Sequence, residues 1–199
     1  TIFAKFKLVE CPLKALIDNF IVIWTTTPWT IPGNRALAYN NEIDYVAINI
    51  NQVSENSIAQ ENQIIIVSEI LLEDICSQCG ITEYDVKAKL KGYELKGSIA
   101  KHPMADAGYD YPVPLLDADY VTTEQGTGFV HIAPGHGPED YQLAHLKHGI
   151  EVPDTVNEDG TLMEHLPIFS GFHVLRDNLK IAEIISQHNG LIGIGNLTH

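Results

Sequence analysis

Apolar, β-branched runs recur along this chain, and each is soon cut short by Asn, Pro or Gly. Phe3–Val9 alternates apolar and polar residues, the period of a half-buried strand. Phe20–Thr26 is β-branched and apolar, as a buried strand requires, and runs straight into Pro28, Pro32 and Gly33. Leu37–Tyr39, Tyr45–Ile50, Gln63–Val67, Asp85–Leu90, Leu95–Ala100, Leu116–Thr122 and Gly128–Ile132 read as further short strands. Helical patterns cover Ser68–Gln78, stopped by Gly80; Pro138–His148, opened by Pro and two acids; and Val174–His188, stopped by Asn189-Gly190. His102–Pro114 and Pro153–Pro167 read as loops. Many short strands and about three helices predict a mainly β fold, a barrel-like or strongly bent sheet with peripheral helices.

At 199 residues the chain suits one domain, 1–199, with no repeat, low-complexity tract or interdomain linker. A chain of this size buries about 70% of its unfolded surface and needs no disulfide or metal to fold. Runs such as Ile64–Val67 are too short to span a bilayer, and no basic-then-apolar leader opens the sequence. Starting at Thr1, the chain reads as a fragment or processed product. Cys11, Cys76 and Cys79 make an odd count that fits a reducing cytosol. Cys76 and Cys79 share one face of a helix and read as structural.

The charge balance is 12 Lys+Arg against 26 Asp+Glu, a net −14. Domains that grip nucleic acid by bulk electrostatics are basic, so here nucleic acid must bind locally or be delivered by another domain. The nearest approach to a basic strip is Lys87, Lys89, Lys91, Lys96 and Lys101. The first three of these share one face of a strand and read as a solvated face.

Two polar clusters break the local pattern. In Trp24-Thr25-Thr26-Thr27-Pro28-Trp29-Thr30-Ile31-Pro32-Gly33-Asn34 a buried strand ends in three threonines and turns. Thr25 and Thr27 point to one side and Thr26 to the other. The prolines bring Thr30 and Asn34 back toward them. Uncharged hydroxyls and an amide suit ester, ribose or water oxygens better than phosphate. The second cluster is Gly126-Thr127-Gly128-Phe129-Val130-His131-Ile132-Ala133-Pro134-Gly135-His136-Gly137-Pro138-Glu139-Asp140-Tyr141. A strand ends near His131, a Gly/Pro loop follows, and Asp140 falls in the first helical turn, where the dipole favours its anion. An ionised Asp on a pocket wall suits an ammonium group. His131 is a wall, a hydrogen-bond partner or a base. Three other readings of this cluster stand beside that one. A metal set of His131, His136 and Asp140 departs from standard zinc spacing. A phosphate loop lacks its Lys-Ser/Thr. A capped helix after a tight loop needs no ligand. No Gly-x-Ser-x-Gly elbow and no cysteine within either cluster offers a covalent nucleophile.

Together the two clusters resemble the threonine-rich motif and the second signature of the editing domain (connective peptide) of the isoleucyl-tRNA synthetases, class I enzymes. Their order and separation of roughly 100 residues match, and the likeness runs from about Val22 to Gly195. Thr27 and Trp29 favour the isoleucyl type over the valyl and leucyl relatives. No His-x-Gly-His or Lys-Met-Ser-Lys-Ser is present, so the resemblance implies an editing domain without the aminoacylation site.

The resemblance implies hydrolysis of mischarged Val-tRNA(Ile), and of valyl-adenylate, without a covalent intermediate. Valine lacks one methylene of isoleucine, a difference worth about 1–3 kcal/mol in an apolar pocket, and this pair is the standard example of that limit. A second sieve that admits valine and excludes isoleucine resolves it. By motif position, Asp140 binds the ammonium and His131 shapes the pocket. Thr25, Thr26 and Thr27 position the ester, the terminal adenosine or the water. Thr30 and Asn34 complete the polar wall, and Trp29 supplies an apolar one. No metal or cofactor is implied for editing; ATP and magnesium belong to the full-length enzyme. The implied partners are the 3′ end of tRNA(Ile) and the rest of the synthetase, in a cytoplasmic monomer away from membranes. A binding module without turnover and a metal-dependent hydrolase are the other classes the sequence leaves open.

Overall fold

The computed structural model describes residues 1–195. Ten strands follow in chain order: β1 (Ile2–Glu10), β2 (Phe20–Thr25), β3 (Ala36–Tyr39), β4 (Asp44–Val53), β5 (Ile64–Ser68), β6 (Ile81–Lys91), β7 (Ile99–Lys101), β8 (Pro112–Asp117), β9 (Val130–Ile132) and β10 (Leu191–Ile194). They form one mixed sheet in the order β6-β4-β5-β2-β1-β7-β8-β3-β9, with β10 also on β1. Most ladders are antiparallel; β2 with β5 and β3 with β8 are parallel.

β1 organises the molecule through its alternation. Ile2, Ala4, Phe6 and Leu8 enter the larger core, which also holds Ile21, Ile23, Leu37, Tyr39 and Val113. Phe3, on the opposite face, joins a second core with Val22, Ile48, Ile65 and Ile75. From β2 through β1, β7, β8 and β3 the sheet curls until β9 lies back against β2. No ladder joins those two strands among the described residues. The barrel-like curl therefore has one seam that backbone hydrogen bonds do not close, and both polar clusters meet there.

Three helices lie outside the sheet. α1 (Leu72–Cys79) buries Leu72, Ile75, Cys76 and Cys79 and ends at Gly80, whose φ of 69° is the left-handed stop. Burial pushes the Cys76 thiol up to about 11 and Cys79 up to about 12, so both stay protonated core residues. α2 (Pro138–Asp140) widens at once into a π-helix over Tyr141–Lys147. α3 (Asn178–Gln187) buries Ile181, Ala182 and Ile185.

Several segments differ from the sequence reading. Ser68 ends β5 rather than opening a helix, and α3 starts at Asn178 rather than Val174. The expected strand Leu95–Ala100 is a 3₁₀ turn (Gly92–Leu95) followed by the short β7. The strand expected at Leu116–Thr122 lies earlier, as β8, inside the expected loop. Its prolines are tolerated because Leu115 N–H bonds Ser98 O on the β7 side. Pro114 therefore faces the other edge, where the β3 ladder begins only at Leu115. A π-helix over Tyr141–Lys147 stands where an α-helix is expected, and its buried residues are the adjacent pair Leu143 and Ala144. β10 was not expected. Lys87 falls at a register shift, while Lys89 pairs with Glu69 and Lys91 with Asp44 on the surface.

Candidate functional site

The seam between β2 and β9 encloses a cavity of about 200 Å³. On one side, β2 ends at Thr25, and the chain turns by donating Thr27 N–H to Thr25 Oγ1 at 3.1 Å. The two hydroxyls stand 3.2 Å apart. A 3₁₀ turn over Pro28–Gly33 then brings Thr30 back, its hydroxyl donating to Thr27 O at 2.9 Å. On the other side, β9 carries His131, and the loop after it runs through Ala133 and His136 to Asp140.

His131 is fully engaged. Asn34 Nδ2 lies 2.9 Å from His131 Nδ1, and the Asn34 amide is oriented by its bond to Ala36 O at 2.9 Å. Since Nδ2 can only donate, Nδ1 accepts, and the ring proton sits on Nε2. Nε2 then donates to Thr30 Oγ1 at 2.8 Å, and that hydroxyl passes its own proton to Thr27 O. Burial, with His102 and His136 nearby, pushes the His131 pKa down to about 3. The ring is a neutral wall with no nitrogen left to act as a base.

Asp140 is half-buried, and its Oδ2 accepts Ala133 N–H at 2.9 Å. Its pKa is raised by burial, and the adjacent Glu139 adds to this against the Ala133 hydrogen bond. This reverses the expectation that a helix dipole favours its anion: the α-helical turn is only three residues long. No Lys, Arg or His nitrogen lies within 4.0 Å of the carboxylate among the described residues.

The structure thus brings Thr25, Thr27, Thr30, His131 and Asp140 to one cavity. Thr26 is exposed and off its wall, as strand alternation requires. Trp29 and Asn34 stand behind the wall rather than on it. Trp29 packs edge-on to His136 at 4.9 Å, and Asn34 holds His131. Trp24, Val130, Ala133 and His136 also line the cavity; of these the sequence reading weighs only His136, and only as a metal ligand. Strand alternation would turn Trp24 and Val130 away from the side of Thr25 and His131, so only the tertiary structure shows that they reach the cavity. His136, whose Nε2 lies 2.6 Å from Thr155 Oγ1, needed the tertiary contact. Behind Asn34 a further layer holds the backbone: Tyr111 Oη and Arg35 Nη1 donate to Asn34 O at 2.7 and 2.9 Å. No three His, Cys, Asp or Glu side chains converge as a metal site among the described residues, so His131, His136 and Asp140 do not form one. Larger cavities of about 470 Å³ lie elsewhere, but neither gathers the two sequence clusters. Among the described residues no helix is long and apolar enough to cross a membrane.

No family model matches the chain. Individual relatives do. It is 42% identical to an isoleucine–tRNA ligase of Pelagibacter ubique over 199 residues, all of this chain and 21% of that protein. It is 40% identical to that of Gluconobacter oxydans over 189 residues, 94% of this chain and 20% of that protein. The chain therefore spans about a fifth of the length of these relatives. Among solved structures it superposes on GlLeuRS-CP1 with a TM-score of 0.73 at 18% identity, covering 98% of each chain. It superposes on the P. knowlesi cytosolic leucyl-tRNA synthetase editing domain with a TM-score of 0.69 at 11% identity, covering 95% of this chain and 94% of that one. By sequence this chain matches, over its whole length, a segment of the isoleucine–tRNA ligases, and its fold is that of GlLeuRS-CP1.

Proposed function

We propose that the seam cavity proofreads tRNA(Ile) by hydrolysing the ester that joins a wrongly attached valine to its 3′ end. The observation that carries this reading is Asp140: a half-buried carboxylate without a cationic partner, facing uncharged hydroxyls across a small cavity. An aminoacyl ester supplies what that arrangement lacks, an ammonium beside a carbonyl.

In this reading Asp140 holds the ammonium, and Thr25, Thr27 and Thr30 hold the ester and the attacking water. Thr26, outside the wall, meets the terminal adenosine. A volume of about 200 Å³ is below the ~300–1,000 Å³ typical of drug-sized ligands, so the amino-acid end enters and the nucleotide stays outside. His131 is the far wall, and Thr30 with Asn34 keeps it immobile, so an extra methylene meets a ring that cannot yield. Trp29 backs His136 from the apolar side. Water forms the new C–O bond at the carbonyl carbon, the bond to the ribose oxygen breaks, and the proton passes to that oxygen. A ribose hydroxyl of the substrate relays it, since His131 has no free nitrogen. The products are valine and uncharged tRNA. Aminoacyl esters hydrolyse readily, so positioning carries most of the catalysis.

The same cavity reads valyl-adenylate by its amino-acid end. The rest of the synthetase chain delivers the tRNA, which accounts for a domain of net charge −14 handling nucleic acid. ATP and magnesium serve the full-length enzyme and not this site, and the working form is a cytoplasmic monomer. The test is deacylation of Val-tRNA(Ile) beside Ile-tRNA(Ile). Selective loss of the valyl ester is expected. Equal rates on both esters, or no hydrolysis together with no binding of a valyl-adenosine analogue, would overturn the reading.

A further inference from the structure

A second hollow lies at the other end of β2. It opens beside Phe20, whereas Thr25 borders the seam cavity, and five residues of strand separate them by about 17 Å. The two share no lining residue. The hollow measures about 470 Å³. β1 turns Lys5 and Lys7 to the face opposite Phe6 and Leu8, and Lys7 stands across the ladder from Lys101 of β7.

Lys5 is the unusual member, only 4% exposed. Its ammonium donates to Gln63 Oε1 at 2.9 Å and lies 4.9 Å over the Phe20 ring. No carboxylate comes within 4.0 Å of it among the described residues. A buried charge without a counter-charge is destabilising, and two of its three N–H donors have no partner among the described residues.

The neighbouring amides are oriented by this lysine. Gln63 must turn its oxygen to Lys5, so its Nε2 donates to Gln60 Oε1 at 2.6 Å. Gln60 Nε2 in turn donates to Asn189 Oδ1 at 3.3 Å. The chain of amides ends in the free NH₂ of Asn189 at the cavity wall. Two acids, Asp106 and Asp110, also reach the wall, the first 3.7 Å from His188. Lys7 has only a loose, exposed contact with Asp18 at 3.7 Å. Counting lining residues alone, with Asp18 outside the hollow, three lysines stand against two aspartates on a chain of net charge −14.

We propose that this hollow binds a phosphate group, seated between the ammoniums of Lys5, Lys7 and Lys101 with the Asn189 amide as an added donor. Point-charge donors arriving from two strands and a loop suit a compact oxyanion with several oxygens. The phosphate is either free in solution or part of an RNA backbone. Burial also pushes Lys5 down to about 8, and an anion beside it would raise that value again. The site stands whether or not the seam cavity edits.

The test is an NMR titration of the labelled chain with inorganic phosphate and, separately, with an RNA trinucleotide lacking terminal phosphates. Sodium chloride at matched ionic strength is the control. Saturable shifts at β1, β7 and Gly190 are expected from at least one probe, and which probe saturates first identifies the source. Lys101→Gln, an exposed change, should weaken binding about fivefold, and Lys5→Met about tenfold. No saturable shift beyond the chloride control from either probe, or unchanged affinity in Lys101→Gln, would overturn the proposal.

Discussion

The two hollows of this molecule are mirror images in charge. Among the described residues, a half-buried carboxylate at the β2–β9 seam, Asp140, has no cation beside it, and a buried ammonium at the far end of β2, Lys5, has no anion. Burial drives both toward neutrality, raising Asp140 and lowering Lys5. The fold uses the Asp140 carboxylate to accept Ala133 N–H and the Lys5 ammonium to donate to Gln63, but gives neither a counter-charge among the described residues. In the two readings proposed above, a ligand of opposite sign supplies it. The local scaffolds differ: Asp140 sits on a short turn leading into a π-helix, Lys5 in the middle of the strand with the most partners. Ligand chemistry is expected at the first and simple binding at the second.

The largest effect that would separate the two is on turnover. Asp140→Asn keeps an oxygen to accept Ala133 N–H, so the loop should hold while the ammonium loses its counter-charge. Deacylation of Val-tRNA(Ile) should fall by at least ~100-fold, about 2.7 kcal/mol of transition-state stabilisation. Lys5→Met should leave that rate within about threefold, since the two hollows share no lining residue. Asp140→Ala is a poorer probe, because it also orphans the Ala133 amide. Comparable losses in the Asn and Met variants would mean that the hollows are one functional unit.

A second separation uses two histidines. His131 borders the seam cavity. His102 is equally buried, stacked on Tyr109 at 4.9 Å, with Nε2 at Ile31 O and Nδ1 accepting Met104 N–H. Either histidine changed to Ala leaves polar partners unpaired and should cost about 2–3 kcal/mol in chemical denaturation. Only His131→Ala should also admit the isoleucyl ester, read as hydrolysis of Ile-tRNA(Ile). If His102→Ala relaxes selectivity as much, the wall is the whole core and not one ring.

Acid should loosen both histidine regions together. Both rings titrate lower in the fold than their ordinary 6.5, His131 at about 3 and His102 at about 4, chiefly through burial. Below pH 6.5 the unfolded chain binds protons that the folded chain refuses, so stability falls from there toward pH 3–4. Denaturation midpoints across that window should drop in the wild type and drop less in His131→Gln. An equal drop in both would assign the acid sensitivity elsewhere.

Much of the seam could be read from the sequence because its residues are contiguous. Trp24 to Asn34 and Gly126 to Tyr141 each hold their chemistry within one turn-rich stretch, and alternation alone put Thr25 and Thr27 opposite Thr26. The second hollow left no such trace. Lys5 and Lys7 in Phe3–Val9 have the look of any solvent face, and the setting of the buried Lys5 comes from Gln63, held in turn by Gln60 and Asn189, all distant in sequence. Gly128 shows the same limit. Its φ of 84° and its approach to Ser68, 2.6 Å from where a Cβ would sit, depend on a loop docking across the sheet. The mainly β class followed from strand spacing. β8 did not, because a proline in a strand is acceptable only once its edge is known.

The smallest expected effect is also the most selective for Lys5. Its folded pKa of about 8 lies below the ordinary 10.5. Below pH 8 both folded and unfolded chains carry the charge, and the fold bears the whole cost of burying it. Between pH 8 and 10.5 the folded chain sheds the proton first while the unfolded chain keeps it, so stability rises with pH. Tyrosines with raised values, Tyr45 and Tyr109 among them, act oppositely from about pH 10 upward, which makes pH 7 to 9.5 the useful window. Wild type minus Lys5→Met isolates the term. Lys5→Met should be more stable by about 1 kcal/mol at pH 7, as removal of an unpaired buried ion often is, and the gap should close by pH 9.5. Saturating inorganic phosphate should close it at pH 7 as well, by giving Lys5 the partner that the fold withholds. A gap that ignores both pH and phosphate would mean that Lys5 already has its counter-charge, and the symmetry with Asp140 would fail.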